Sequence, residues 1–347
     1  MHPIESKLQQ TRRDFLATSA SGLGGVALAS LLAEEGLLAE EVTNPMAPRK
    51  PHFEPKAKAC ITIFMAGAPS HLDLFDPKPV LNKRFGQKLP KEILDKARFA
   101  FIQPETATLM ASNRTFRKHG QCGMDFSDYL PHLGSVADDL LMVRSMHSDE
   151  FNHHPGQLLM QCGVSRFGMP TAGSWLTYGL GSESKNLPGY VVLTAGRGSS
   201  GGTTLWQSGF LPSSYAGVLF RNQGEPVLNL ANPKGLPPEL QRAGLDALRT
   251  VNNERFEKIH DPEIASRIAS YELASRMQTA APELIDLTKE DDRTLEAYGV
   301  TRKEPGGGGR GKSGNTYQDF ARNCLLARRM VERGVRCINI INFTILF

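Results

Sequence analysis

Ala59-Cys60-Ile61-Thr62-Ile63-Phe64-Met65-Ala66 is an unbroken apolar run that follows a polar, proline-rich approach over residues 44–58 and stops at Gly67-Ala68-Pro69. Continuous apolarity over that length is the pattern of a strand buried on both faces, as in a parallel sheet covered by helices. Shorter runs of the same kind recur at Leu140-Leu141-Met142-Val143, at Tyr190-Val191-Val192-Leu193 and at Val335-Arg336-Cys337-Ile338-Asn339-Ile340-Ile341. Each follows a helix or turn pattern. Helices alternating with such strands predict an α/β fold with a largely parallel sheet flanked by helices.

Between the third and last runs the pattern changes. Asp261-Pro262-Glu263 reads as a helix start, with an N-cap and a proline in the first turn, and Ile264, Ile268 and Tyr271 follow at helical spacing. Together with residues 237–259 this predicts a helical insertion over about 237–298. The glycine-rich stretch 303–315 reads as a flexible loop. The next helix carries Phe320, Cys324, Ala327 and Val331 on one face and Arg322, Arg329 and Arg333 on another. That arginine row is read as a solvated helix face rather than an anion grip.

Outward from this core, the N-terminus carries Thr11-Arg12-Arg13-Asp14-Phe15-Leu16 and then a weakly apolar stretch rich in Gly, Ser and Ala. Arg12 and Arg13 in that setting predict a twin-arginine signal over residues 1–39, removed after export. The glycines and serines make the stretch a poor permanent membrane span. The expected partner is the twin-arginine export machinery, and the expected location is periplasmic or secreted. Residues 44–347 then form the folded domain. Of 347 residues, 40% are hydrophobic and 22% charged, an ordinary globular balance, and a net charge of +4 gives no basis for a nucleic-acid or membrane-surface partner. The five cysteines are widely spaced and form no Cys-x-x-Cys pair, so neither a zinc ribbon nor a disulfide scaffold is indicated.

Parallel α/β sheets gather ligands in loops at the carboxyl ends of their strands. The first apolar run is followed by Ser70-His71-Leu72-Asp73-Leu74-Phe75-Asp76-Pro77, and the second by His147-Ser148-Asp149-Glu150-Phe151-Asn152-His153-His154-Pro155. Imidazoles mixed with carboxylates suit zinc, manganese or iron better than calcium or magnesium. Alone, His71 or Asp76 reads as a turn residue; the second cluster exceeds what turn formation needs and is expected to be a metal or catalytic loop. Gly196-Arg197-Gly198-Ser199-Ser200-Gly201-Gly202 reads either as an anion-binding loop using Arg197 and Ser199 or as a mobile glycine loop. Thr171 and Ser174 read as helix caps in preference to nucleophiles.

Several of these stretches together resemble a known family. Residues Met65-Ala66-Gly67-Ala68-Pro69-Ser70-His71-Leu72-Asp73-Leu74-Phe75-Asp76-Pro77, Glu150-Phe151-Asn152-His153-His154-Pro155-Gly156-Gln157 and Gly168-Met169-Pro170-Thr171-Ala172-Gly173-Ser174-Trp175, behind a twin-arginine leader, look like an exported sulfatase-like family, domain of unknown function 1501, grouped with the alkaline phosphatase superfamily. The resemblance implies a divalent-metal site at strand ends and hydrolysis of sulfated or phosphorylated esters. It implies a first metal carboxylate at Asp73, with His71 beside it; His147, Asp149 and His154 of the second loop are the further candidate metal ligands, and His153 stands either as a catalytic nucleophile that carries phosphoryl or as a metal ligand. In sulfatases the nucleophile lies in Cys-x-Pro-x-Arg; here His153 stands at the cysteine position and Gln157 at the arginine position, so no formylglycine forms. Family members also continue past the last strand with further Asp/His loops, whereas this chain reads Asn342-Phe343-Thr344-Ile345-Leu346-Phe347. A C-terminally truncated hydrolase, inactive or impaired, is therefore expected. The alternative is a non-catalytic envelope protein that binds carbohydrate or a protein partner.

Overall fold

The strands of the computed structural model are β1 (Cys60–Met65), β2 (Phe116–His119), β3 (Met124–Ser127), β4 (Tyr190–Gly196), β5 (Val218–Phe220) and β6 (Cys337–Phe343). Four of them form one sheet in the order β1, β6, β4, β5, with every neighbour parallel. β2 and β3 make a separate antiparallel hairpin. The principal helices are α1 (His153–Cys162), α2 (Ala172–Leu180), α3 (Pro238–Ile259), α4 (Pro262–Ile285), α5 (Asp292–Tyr298) and α6 (Thr316–Glu332). The described residues are 44–66, 69–96, 103–196, 200–302 and 316–343. The leader with Arg12 and Arg13, the glycine-rich stretch 303–315, Arg197, Ser199 and residues 344–347 lie outside them. Among the described residues no helix is long and apolar enough to cross a membrane.

β4 and β6 are central strands, so their alternating side chains are needed on both faces. Val191, Leu193, Ile338 and Ile340 turn to one face and meet Met277, Ala281 and Leu284 of α4 and Leu326, Ala327 and Met330 of α6. Tyr190, Val192, Cys337 and Ile341 turn to the other, against Leu158 of α1 and against Leu205 and Trp206. The result is a sheet with helices on both sides. Burying each large apolar side chain in these layers contributes about 1.5–3 kcal/mol.

Several sequence expectations are corrected. Leu140-Leu141-Met142-Val143 is not a strand but irregular chain, with Leu141 90% exposed. An apolar run of four has no place in a sheet unless a partner strand accepts it, and β1, β4, β5 and β6 already make up this one. β1 is a strand, yet it is not buried on both faces: it lies at the sheet edge, with Ile61 and Ile63 at 42% and 51% exposure. Nor is the arginine row of α6 wholly solvated. Arg329 is 4% exposed, donates to Asp286 O at 2.7 Å and Glu283 O at 3.1 Å, and pairs with Glu290 at 3.2 Å. Its guanidinium caps the carbonyl end of α4, where a cation offsets the negative pole of the helix.

The Thr171-Ala172-Gly173-Ser174 stretch has a packing reason. Thr171 is the N-cap of α2 and its hydroxyl accepts from Ser174 N, while Ser174 Oγ donates to Gln207 O at 3.0 Å. Gly173 lies against the buried ring of Tyr190, so that a Cβ there would sit 2.5 Å from the ring. We expect Gly173→Ala to lower stability by about 1–3 kcal/mol through overpacking. Gly179 of the same helix faces open space, and Gly179→Ala should raise stability by roughly 0.5–1 kcal/mol. Urea unfolding of the two single variants checks both signs.

Candidate functional site

α1 begins where Asn152, in extended conformation, accepts a bond from His153 N at 2.8 Å, and it ends at Gly163, whose φ of 76° supplies the left-handed cap. Leu158, Gln157 and Gln161 are its buried residues. Gln157, 3% exposed, acts as a clamp between two loops. Its Oε1 accepts from Ser200 Oγ and from Gly201 N, each at 3.2 Å, and its Nε2 faces Ala66 O at 3.5 Å. Ala66 follows the carboxyl end of β1 and Gly201 follows that of β4. The first turn of α1, with His153 and His154, is thereby fixed beside the carboxyl edge of the sheet.

His153 is exposed. His154 is half-buried, its Nε2 3.5 Å from Thr204 Oγ1 and its ring edge-on to Phe167 at 5.3 Å. One turn on, Gln161 Oε1 accepts from Asn339 Nδ2 at 2.9 Å, which joins α1 to the middle of β6. Burial pushes the Tyr190 phenol, next to Asn339 in the sheet layer, up to about 12, an effect that the nearby Asn339 and Thr171 side chains partly offset. A polar seam thus runs from α2 through β4 and β6 to α1.

The remaining expected residues lie in smaller, mostly local groups. Hydrogen bonds from the hydroxyls of Ser112 and Ser70 hold the Asp73 carboxyl below its usual range. Asp76 is held low by Lys78, 2.7 Å away, with Arg144 at 3.9 Å and the charge of nearby His71 adding to the effect. Asp76 and Arg144 bring the loop after β1 towards the chain leading to His147. His147 and Asp149 approach to 3.9 Å, both strongly exposed. Among the described residues no three His, Cys, Asp or Glu side chains gather as metal ligands would. As placed, Asp73, His71, His147, Asp149 and His154 therefore do not fit a shared divalent ion, and Arg197 and Ser199 lie outside the described residues.

Sequence reasoning missed Gln161, Thr204 and Asn339, and it named Gln157 only as the residue at the arginine position of the sulfatase-type motif. A signal existed for one of them: Asn339 is a lone amide inside the apolar run 335–341, and a buried polar group must be bonded. For Gln157 the signal was its place at the arginine position of that motif, one helical turn past His153, which did not reveal its role as a clamp.

The chain belongs to the family of proteins of unknown function DUF1501, whose family model matches residues 57–344. No curated protein and no solved structure matched it.

Gln157→Leu removes the acceptor for the buried Gly201 N–H, so we expect a loss of about 1–3 kcal/mol. His147→Ala, at an exposed position, should stay within about 0.5 kcal/mol of the parent. Chemical denaturation of both variants, read by tryptophan fluorescence, measures the difference.

Proposed function

We propose that the protein is exported by the twin-arginine route and acts on phosphate or sulfate esters at the start of α1, with His153 as the group that attacks. One observation carries this reading: Gln157 fixes the first turn of α1, bearing two histidines, against the carboxyl ends of β1 and β4. Ligands of parallel α/β sheets bind in that position, and a helix N-terminus favours an anionic group.

The chemistry is a double displacement. A neutral imidazole nitrogen of His153 attacks the phosphorus or sulfur, and the ester oxygen leaves with its bonding pair and takes up a proton. Water then attacks the phospho- or sulfo-imidazole, which returns the free histidine and releases the inorganic anion. In this reading His154, beside Thr204, orients the ester. A resident zinc, manganese or iron ion is no part of this reading, because the side chains expected to hold it do not converge among the described residues.

We expect slow turnover of aryl phosphates or aryl sulfates by the purified protein, reduced at least about a hundredfold in His153→Ala, since removing a nucleophile costs an efficient enzyme up to about 10⁶ in kcat. Acid-labile phosphate or sulfate trapped on the peptide holding His153 would identify the intermediate. Equal turnover in parent and variant would remove His153 from the reaction. For export, changing Arg12 and Arg13 to Lys should sharply reduce periplasmic yield, because lysine lacks the planar fork of arginine; an unchanged yield would count against the route.

A second reading, a carbohydrate-binding envelope protein, is favoured by a separate surface. Trp175 and Tyr178 of α2 and Phe210 are all exposed. Trp175 stands edge-on to Phe210 at 5.6 Å and to Tyr178 at 6.1 Å, and the Arg49 guanidinium lies 5.6 Å from the Tyr178 ring centre. Exposed aromatic faces beside a hydrogen-bond donor suit the C–H faces and hydroxyls of a sugar. If this surface is the working one, Trp175→Ala abolishes retardation in polysaccharide-containing gels while His153→Ala does not.

A further inference from the structure

We propose that Cys60 and Cys337 form an oxidisable dithiol, closing a cross-strand bridge that staples the edge strand β1 to the central strand β6. The two are register partners in the parallel β1–β6 pair. Paired residues of adjacent parallel strands point to the same face, and the strands lie about 4.8 Å apart. That spacing falls inside the roughly 4.4–6.8 Å between Cα atoms that a disulfide spans. The thiols sense each other's charge, since Cys60 adds to the upward shift of Cys337.

Their surroundings divide the work between them. Cys60 is exposed and opens β1, after irregular chain that can adjust. Cys337 is buried among Tyr190, Val192 and Ile341, and burial pushes its thiol up to about 12. Cys60 therefore meets an external disulfide first. With oxidised glutathione, the Cys60 thiolate displaces one glutathione thiolate and forms a mixed disulfide. The Cys337 thiolate then attacks the Cys60 sulfur and expels the second glutathione, so two thiols are oxidised, one disulfide is reduced and the two protons pass to the two glutathiones. Scarcity of the Cys337 thiolate makes closure the slow step.

β1 has most to gain from the bridge. Among the described residues it pairs on one side only, and its isoleucines are exposed. The reduced protein holds this strand by hydrogen bonds to β6, and the oxidised protein holds it covalently.

The experiment incubates the folded full-length protein with oxidised glutathione, alkylates free thiols and maps non-reduced peptides. We expect a peptide joining Cys60 to Cys337, and conversion of the Cys60–glutathione adduct to that bridge should speed up about tenfold per pH unit between 7 and 9, following the thiolate fraction. Cys162→Ser should keep the joined peptide and Cys60→Ser should lose it. Cys162 packs near Cys337, so a Cys162–Cys337 bridge in its place would overturn the assignment. So would a Cys60–glutathione adduct that persists at pH 9 in protein shown to be folded by circular dichroism.

Discussion

Tyr190 is the strut between the layers of this protein. Its ring fills the space between β4 and α2, close enough that Gly173 and Gly217 have no room for a Cβ. Its hydroxyl is buried, with Asn339 and Thr171 as polar neighbours that offset part of the cost of that burial. A phenol taken from water is tolerated only where its polar end is satisfied. One side chain thus requires two glycines, and its polar end lies beside a capping threonine and an asparagine in the middle of β6. Asn339 in turn engages Gln161, so the position of α1, and with it the two histidines of its first turn, depends on this chain of contacts.

The fold was legible where burial on two faces dictates composition. β4 and β6 are the runs whose residues are almost all buried, and both read directly as strands. The start of α4 was equally plain, because Asp261 caps Glu263 N and proline occupies the first turn, a purely local arrangement. What depends on partners was not legible. The run 140–143 is as apolar as a strand yet pairs with no strand among the described residues, while β5, three residues long, is a strand because β4 stands beside it. The burial of Arg329 likewise depends on the end of α4, some forty residues upstream, which no periodicity in α6 reveals.

The site was legible as a list of residues more than as a constellation. Histidines and carboxylates close in sequence tend to satisfy one another or their own turns: Asp73 bonds Ser70, Asp76 pairs with Lys78, and His147 faces Asp149. Convergence over long distances came instead from uncharged amides. Gln157 reaches from α1 to both strand ends, and Gln161 reaches to β6. An amide can donate and accept at once without the desolvation cost of a charge, and that suits it to buried joints.

The pairing of β1 with β6 bears on how the chain folds as it is made. Among the described residues β1 has no other strand neighbour, and β6 lies at the far end of the described chain. A ribosome therefore exposes the run 60–65 long before its partner has been synthesised, and non-local parallel pairing is intrinsically slow. Throughout that interval a β-prone, uncharged segment stays open to other nascent chains. β1 can therefore dock only after β6, the strand between it and β4, has been made.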